Sequence, residues 1–119
     1  SSAASDVYKR QELQQLMHDV FASTGIVSRV YSSNPDIEAG VRLHGNEAYC
    51  FIINHEAENA ITDVTLRDLG FEVGQIMDVE WGRTVDFVRT PDGGIRFTIM
   101  AVEGTPTGVT RLLKITPKK

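Results

Sequence analysis

The sequence is poor in cysteine and tryptophan, with one residue of each among 119. A single cysteine, Cys50, excludes an internal disulfide framework and any zinc site built from several cysteines. No apolar run approaches the roughly 18 to 20 residues that a membrane-spanning helix needs. Lysine and arginine do not cluster, and the net charge of −4 argues against binding to a phosphate backbone. We therefore expect neither a membrane nor a nucleic acid as a partner.

The rest of the composition is that of an ordinary globular protein, with 41% hydrophobic and 24% charged residues. A chain of 119 residues corresponds to one domain, or to one domain with a short attached element. Domains of this size bury roughly two-thirds of their unfolded surface, so this chain can form a core without disulfides. Cys50 lies within the apolar run at residues 49–53, which predicts a buried small hydrophobic side chain rather than a reactive thiol.

Residues 6–11, DVYKRQ, resemble a translated sequencing adapter of the kind found at the edges of assembled metagenomic reading frames. We therefore interpret residues 1–11 as a non-native or disordered lead-in and exclude them from the fold prediction. On this interpretation the natural chain once continued upstream. The alternative is a short polar lead-in that matches the adapter by chance.

Residues 12–25 are predicted to form an amphipathic helix that ends at Gly25. Its apolar side chains recur at intervals of three and four residues, the spacing of one helix face, at Leu13, Leu16, Met17, Val20 and Phe21. This stripe indicates a helix packed on a core. The core is either that of the same domain or that of a preceding domain, whose last helix this would be.

From residue 26 the hydrophobic period changes from 3.6 to 2, which is typical of β-strands. The alternation is clearest at residues 39–43 and 95–101, while the dense apolar run at 48–54 predicts a central strand. Gly45 and Asn46 predict a tight turn before that run, and residues 91–94, PDGG, form the strongest turn signal. The sequence thus predicts an all-β fold, a small antiparallel β-sandwich of about seven or eight strands over residues 26–117, preceded by one N-terminal amphipathic helix. One shared interior is expected to receive every other side chain, among them Val41, Phe51, Val79 and Phe97.

No catalytic, cofactor-binding or metal-binding residue is predicted. The three histidines lack the spacing of a metal motif, and the serines lack the setting of a nucleophile elbow. Asp78 and Glu80 share one strand face, with Asp86 across a turn. Two carboxylates about 5 to 9 Å apart are what glycoside hydrolysis requires, and a calcium site would use the same oxygens. The favoured interpretation is that all three carboxylates are solvent-facing residues of half-buried strands.

The candidate carbohydrate contacts are Trp81, Tyr49 and His55. An exposed aromatic ring is a platform on which a sugar ring can stack. Trp81, however, is in phase with Met77 and Val79, which predicts that its ring faces the core. His55 ends an apolar strand, where it is expected to be solvated or to contact a neighbouring domain or a sugar.

Residues 13–66 resemble the tail of β-galactosidases of glycoside hydrolase family 42. The resemblance lies in GVRL at residues 40–43 and FIINH at residues 51–55, with a less specific match of the closing strand at residues 108–115. In that family the last helix of a flavodoxin-like trimerisation domain leads into a small C-terminal β-domain, and both catalytic glutamates lie on an upstream barrel domain. No position of this sequence matches those glutamates. Asn54 also has a structural explanation, because its side chain can bond to its own turn.

The resemblance implies a non-catalytic C-terminal accessory domain of a carbohydrate-active enzyme, a soluble β-galactosidase-like glycoside hydrolase of the bacterial cytoplasm. Its partner would be the upstream catalytic domain of the same parent chain or a neighbouring subunit, packed on an exposed apolar patch. The first alternative is a carbohydrate-binding module with an exposed aromatic face. The second is a β-sandwich that mediates protein–protein contact through an edge strand and is unrelated to sugars.

Overall fold

The computed structural model describes residues 10–22, 25–27, 29–56, 58–101 and 111–119. These residues form one helix and ten strands. In chain order they are α1 (Arg10–Ala22), β1 (Gly25–Val27), β2 (Arg29–Ser32), β3 (Ile37–His44), β4 (Glu47–Asn54), β5 (Ala60–Arg67), β6 (Val73–Asp78), β7 (Arg83–Thr84), β8 (Val88–Arg89), β9 (Ile95–Ala101) and β10 (Arg111–Pro117).

The described strands form two sheets that enclose a common core. One sheet has six strands in the order β1-β3-β4-β10-β6-β7, and the other has four strands in the order β2-β5-β9-β8. All pairs of neighbouring strands are antiparallel. The predicted all-β antiparallel sandwich is therefore confirmed. The strand number exceeds the predicted seven or eight because two pieces of two residues each, β7 and β8, also pair.

The sandwich interior is filled by alternate side chains of both sheets, as the period of two predicts. Along β9 every residue from Ile95 to Ala101 alternates between buried and exposed without a break. Cys50 of β4 is fully buried among these side chains, which confirms its interpretation as a small hydrophobic residue. The apolar surroundings disfavour the thiolate and raise the pKa of Cys50 to about 12.

A second apolar cluster lies on the outer side of the six-stranded sheet, beneath α1. Val20 of the helix is buried there together with Tyr49, Val79 and Leu112, and Phe51 packs against the same cluster. The prediction that Phe51 and Val79 face the sandwich interior is therefore wrong. The physical reason is that the helix covers the outer face of β4, so this central strand is apolar on both sides.

The helix spans Arg10–Ala22 rather than the predicted 12–25, and Gly25 begins β1. Leu13, Leu16 and Val20 of the predicted stripe contact the sheet, while the side chains of Met17 and Phe21 lie outside the described ones. Residues 1–9 also lie outside the described residues, so the non-native origin of residues 1–11 stays a prediction. In the described parts of the chain, no helix has the length and apolarity that crossing a membrane requires.

Turn residues act where the sequence predicted. Gly45, between β3 and β4, has a φ of 66°, and Gly93, between β8 and β9, has a φ of 87°, values that favour glycine.

Asn54 accepts the backbone N–H of Glu56 at 2.9 Å through Oδ1, which confirms the predicted bond to its own turn. Its Nδ2 also donates to the carbonyls of Glu58 at 2.9 Å and Ala101 at 3.2 Å. The hydrogen bonds of Asn54 therefore connect the end of β4 to the end of β9.

The outer side of the four-stranded sheet is not covered by the described helix. Residues on this side alternate with the buried residues of β5 and β9. Ile61 and Met100 are directly opposite one another, as are Tyr31 and Thr65. We call this surface the open face. It carries four of the five exposed large hydrophobic residues among those described, namely Tyr31, Ile61, Val88 and Met100.

Candidate functional site

A groove of about 710 Å³ lies at one edge of the sandwich, where the chain crosses between the two sheets. β7 pairs with β6 in the six-stranded sheet, and β8 pairs with β9 in the four-stranded sheet. Residues 85–87 make the crossing and line the groove. One wall carries Asp78, Trp81, Arg83 and Arg111, and residues 96–100 of β9 supply another.

Asp78 is the most deeply buried polar group of this groove. Its side chain is only 2% exposed, so the prediction of a solvent-facing carboxylate is wrong. Asp78 ends β6 in phase with Ile76, which points into the sandwich core. Its Oδ1 accepts the backbone N–H groups of Glu80 and Trp81, both at 3.0 Å. The carboxylate therefore shapes the turn at residues 79–82.

Arg111 supplies the counter-charge of Asp78. It begins β10, two residues before Leu113, which lies directly opposite Asp78. Its Nε is 3.0 Å from Asp78 Oδ2, with 12% of the arginine side chain exposed. The N–H does not point at the oxygen, so this contact is an ion pair without hydrogen-bond geometry. The Nη1 atom of Arg111 is also buried and has no hydrogen-bond partner among the described residues.

Trp81 lies at the rim of the groove and is 47% exposed. The prediction that it faces the core is wrong because β6 ends at Asp78, and the strand phase is lost in the turn that follows. The guanidinium carbon of Arg111 lies 4.7 Å from the centroid of the indole, and that of Arg83 lies 5.8 Å from it. Cation–π contacts of this kind stabilise the position of the ring and cover part of it.

The two other candidate carbohydrate contacts lie away from this groove. Tyr49 is buried beneath α1, and its hydroxyl lies 3.4 Å from Oε1 of Glu47. His55 is exposed just after β4, with Nε2 at 3.1 Å from Oε1 of Glu38. The structure therefore does not bring Trp81, Tyr49 and His55 into one site. Carbohydrate contact stays a prediction, and the burial of Tyr49 leaves its ring without an open face.

The two remaining carboxylates are exposed, as predicted. Asp86 lines the groove, whereas Glu80 does not. The oxygens of Asp78 are already occupied by the turn amides and by Arg111. Within the described ranges, no group of three or more histidine, cysteine, aspartate or glutamate side chains is placed to hold a metal ion. The groove thus offers cationic and aromatic groups for binding.

Comparison with known proteins yields no family model that matches the chain and no curated protein that matches it. Two solved structures of a GH42 β-galactosidase from G. stearothermophilus, one of them a catalytic mutant, align with it at 19% sequence identity. Their TM-scores are 0.40 and 0.39, over 89% and 88% of this chain. The chain covers 12% of that enzyme. At this level of similarity the alignment carries no conclusion about activity.

Sequence reasoning missed the pairing of Asp78 with Arg111. The available signal is the phase of the two charges, because Asp78 is in phase with Ile76 and Arg111 with Leu113, both core residues. A charge in a core-facing position needs a partner of opposite sign. Strand phase alone does not say that β6 and β10 are neighbours, so the partner could not be named from the sequence.

Proposed function

We propose that this chain is a non-catalytic accessory domain of a glycoside hydrolase, and that it packs through the open face against the catalytic part of the parent enzyme. The open face is the observation that carries this proposal. Several large apolar side chains exposed on one face indicate an interaction surface, since proteins tend to bury such groups. Ile61 and Tyr31 are 65% and 62% exposed. Burying a side chain of this size stabilises an interface by roughly 1.5 to 3 kcal/mol.

The contrast between the two outer faces supports a docking role. The six-stranded sheet buries Tyr49 and Leu112 beneath α1, whereas the four-stranded sheet leaves its apolar residues uncovered by the described elements. Polar groups lie between them: Thr98 donates a hydrogen bond to Asp63 at 2.5 Å, and this pair separates Ile61 and Met100 from the row that carries Tyr31 and Val88. Protein interfaces commonly combine apolar and polar groups in this way.

The sequence resemblance to family 42 β-galactosidases supports a sugar-cleaving parent. The GVRL stretch lies on β3, and FIINH occupies the end of β4 and the residue after it. These strands are antiparallel neighbours, with Gly40 directly opposite Phe51. Both resembling stretches therefore belong to one structural unit. A non-catalytic role agrees with Asp78, whose oxygens bind the chain itself.

The test begins with the coding sequence that flanks this chain in its source. The complete reading frame is expected to encode an upstream catalytic domain with two catalytic carboxylates. In the complete enzyme, the double variant Tyr31→Ser/Ile61→Ser is expected to shorten the half-life of activity at elevated temperature about tenfold, through the loss of interface area. In the 119-residue chain alone, the same variant should shift the free energy of unfolding by no more than about 0.5 kcal/mol.

Gln75→Ser is the matched control, because Gln75 is exposed on the other sheet. It should leave the half-life of the enzyme unchanged. A reading frame that starts immediately before Glu12, or a double variant as long-lived as the control, contradicts the proposal.

A further inference from the structure

The groove carries a positive charge on a protein that is negative as a whole. Its lining contains three arginines against two aspartates, which leaves one formal positive charge, while the chain has a net charge of −4. Asp78 is paired with Arg111, so Arg83 and Arg96 face the groove with Asp86 as the remaining acid. A concave, locally cationic surface attracts an anionic ligand.

An aromatic platform lies beside these cations. Trp81 is 47% exposed and lines the same groove as Arg83 and Arg96. Arg111 and Arg83 lie 4.7 Å and 5.8 Å from the centroid of its ring, so the part of the indole that they leave exposed is the platform. Arginine recognises a carboxylate through parallel N–H bonds in a fixed geometry. An indole face receives the C–H face of a pyranose ring. A ligand that satisfies both features has a flat apolar ring face and a carboxylate on the same ring.

The aromatic side of the site is held in place before any ligand arrives. Asp78 binds the backbone N–H of Trp81 and lies 3.0 Å from Arg111 Nε, and Arg111 in turn lies against the indole. A preorganised site loses less conformational entropy on binding. A volume of about 710 Å³ falls within the roughly 300 to 1,000 Å³ that ligand sites occupy.

We infer that this groove binds an acidic oligosaccharide, with a uronic acid carboxylate bound by Arg83 and Arg96 and a sugar ring stacked on Trp81. This inference rests on the proposed function and deepens it by naming the class of sugar that the accessory domain binds. A neutral galactoside has no carboxylate for the two arginines. The groove adjoins the open face and shares Val88 and Met100 with it, but it does not include Tyr31 or Ile61. Ligand binding and docking through the open face are therefore tested with different residues.

The experiment titrates the full 119-residue chain with trigalacturonate and follows tryptophan fluorescence. Trp81 is the only tryptophan of the sequence, so the signal reports on this groove. The matched ligand is the methyl ester of trigalacturonate, which keeps the rings and removes the charge. We expect saturable binding of the acid, binding of the ester at least tenfold weaker, and an affinity for the acid that falls with added salt.

Variants then assign the binding to the groove by isothermal titration calorimetry. Arg83→Gln and Arg96→Gln are each expected to weaken binding of trigalacturonate about tenfold, and Trp81→Ala by a similar factor. Arg67→Gln is the control, because Arg67 is exposed, pairs with Asp92 and does not line this groove. It should bind like the unmodified chain.

The inference is overturned if the fluorescence does not saturate, if acid and ester bind equally, or if the groove variants bind like Arg67→Gln. Failure of these titrations leaves docking through the open face intact, since Tyr31 and Ile61 are not involved. The converse result is that trigalacturonate binds while the upstream reading frame encodes no glycosidase. That result would contradict the proposed parent enzyme and would support the ligand site in the groove.

Discussion

The ring of Phe51 lies over the backbone of Gly40, its directly opposite residue on β3. A Cβ atom added at Gly40 would be 2.1 Å from Cζ of Phe51 and 2.8 Å or less from both Cε atoms. The same ring packs against the cluster that buries Val20 of α1. Gly40 thus makes room for the aromatic ring on which the helix rests.

Gly40→Ala is therefore expected to lower the free energy of unfolding by about 1 to 3 kcal/mol, because Phe51 must leave its place beneath α1. Urea denaturation measures this loss. The control is the same substitution in a Phe51→Leu background, where the smaller side chain leaves room for the new methyl group and the loss should shrink. Equal losses in both backgrounds would show that the ring is not the cause.

The buried pair of Asp78 and Arg111 makes a second prediction. Asp78→Asn keeps an oxygen for the turn amides of Glu80 and Trp81 but leaves the guanidinium of Arg111 buried without a counter-charge. We expect a loss of about 3 to 5 kcal/mol in the free energy of unfolding. The double variant Asp78→Asn/Arg111→Gln should recover part of that loss.

The exposed pair of Arg67 and Asp92 is the control for this prediction, since its Nε and Oδ2 atoms are 2.5 Å apart in solvent. Asp92→Asn should cost far less than Asp78→Asn, because water solvates the charge that remains. If Asp78→Asn and Asp92→Asn lowered the free energy of unfolding equally, burial of the ion pair would make no difference to its contribution to stability.

A third prediction concerns Asn54, which is 2% exposed. Asn54→Ala removes the bond to the Glu56 amide and leaves the carbonyls of Glu58 and Ala101 without that donor. We expect a loss of about 2 kcal/mol or more in the free energy of unfolding, measured in urea.

The matched control for Asn54 is Asn34. Its Oδ1 likewise accepts a backbone N–H two residues later, that of Asp36, at 2.9 Å. Its surroundings are more exposed, so water can replace the lost amide and Asn34→Ala should cost less. If the two variants cost the same, burial of the Asn54 side chain does not determine its contribution.

The thiol of Cys50 makes a prediction about pH. Burial raises its pKa to about 12 from the ordinary value of 9.0, so the folded protein holds the proton more tightly than the unfolded chain does. The stability that this contributes is complete below pH 9.0 and is lost as the pH rises toward 12. Above pH 9.0 the loss has a limiting slope of about 1.4 kcal/mol per pH unit.

Urea curves recorded at several alkaline pH values, for the unmodified chain and for Cys50→Ala, isolate this contribution from that of tyrosines and lysines. The alanine variant should lose stability less steeply with pH. A thiol reagent such as dithionitrobenzoate should react with Cys50 only after unfolding. Rapid labelling of the folded chain would contradict the burial of this side chain.

Local patterns in the sequence were sufficient for much of the fold. The unbroken alternation from Ile95 to Ala101 predicted the faces of β9, and the glycines at 45 and 93 predicted the turns. The position of Asn54 at the end of an apolar strand predicted that its side chain would accept a hydrogen bond from the turn that follows. These features depend on residues close together in the chain, so composition and spacing describe them.

The candidate site was predicted only in part. Trp81 was named as a candidate, but its expected place was the core, because strand phase was extended beyond Asp78, where β6 ends. Asp78 was assigned to solvent because Met77 and Val79, on either side of it, were expected to face the core, whereas Val79 packs beneath α1. Arg111 was not named at all, since its role depends on β10 lying beside β6.

The sequence by itself determined that this protein is an antiparallel β-sandwich with a helix at its start, because the period of hydrophobic residues and the turn residues are local properties of the chain. Only the tertiary structure decided that the outer side of the six-stranded sheet is buried as well. The helix covers one face of the six-stranded sheet, so Phe51 and Val79 point toward it. The pairing of β10 with β6 brings Arg111 to Asp78 and to the indole of Trp81, because side chains far apart in sequence meet only when strands take their places in a sheet.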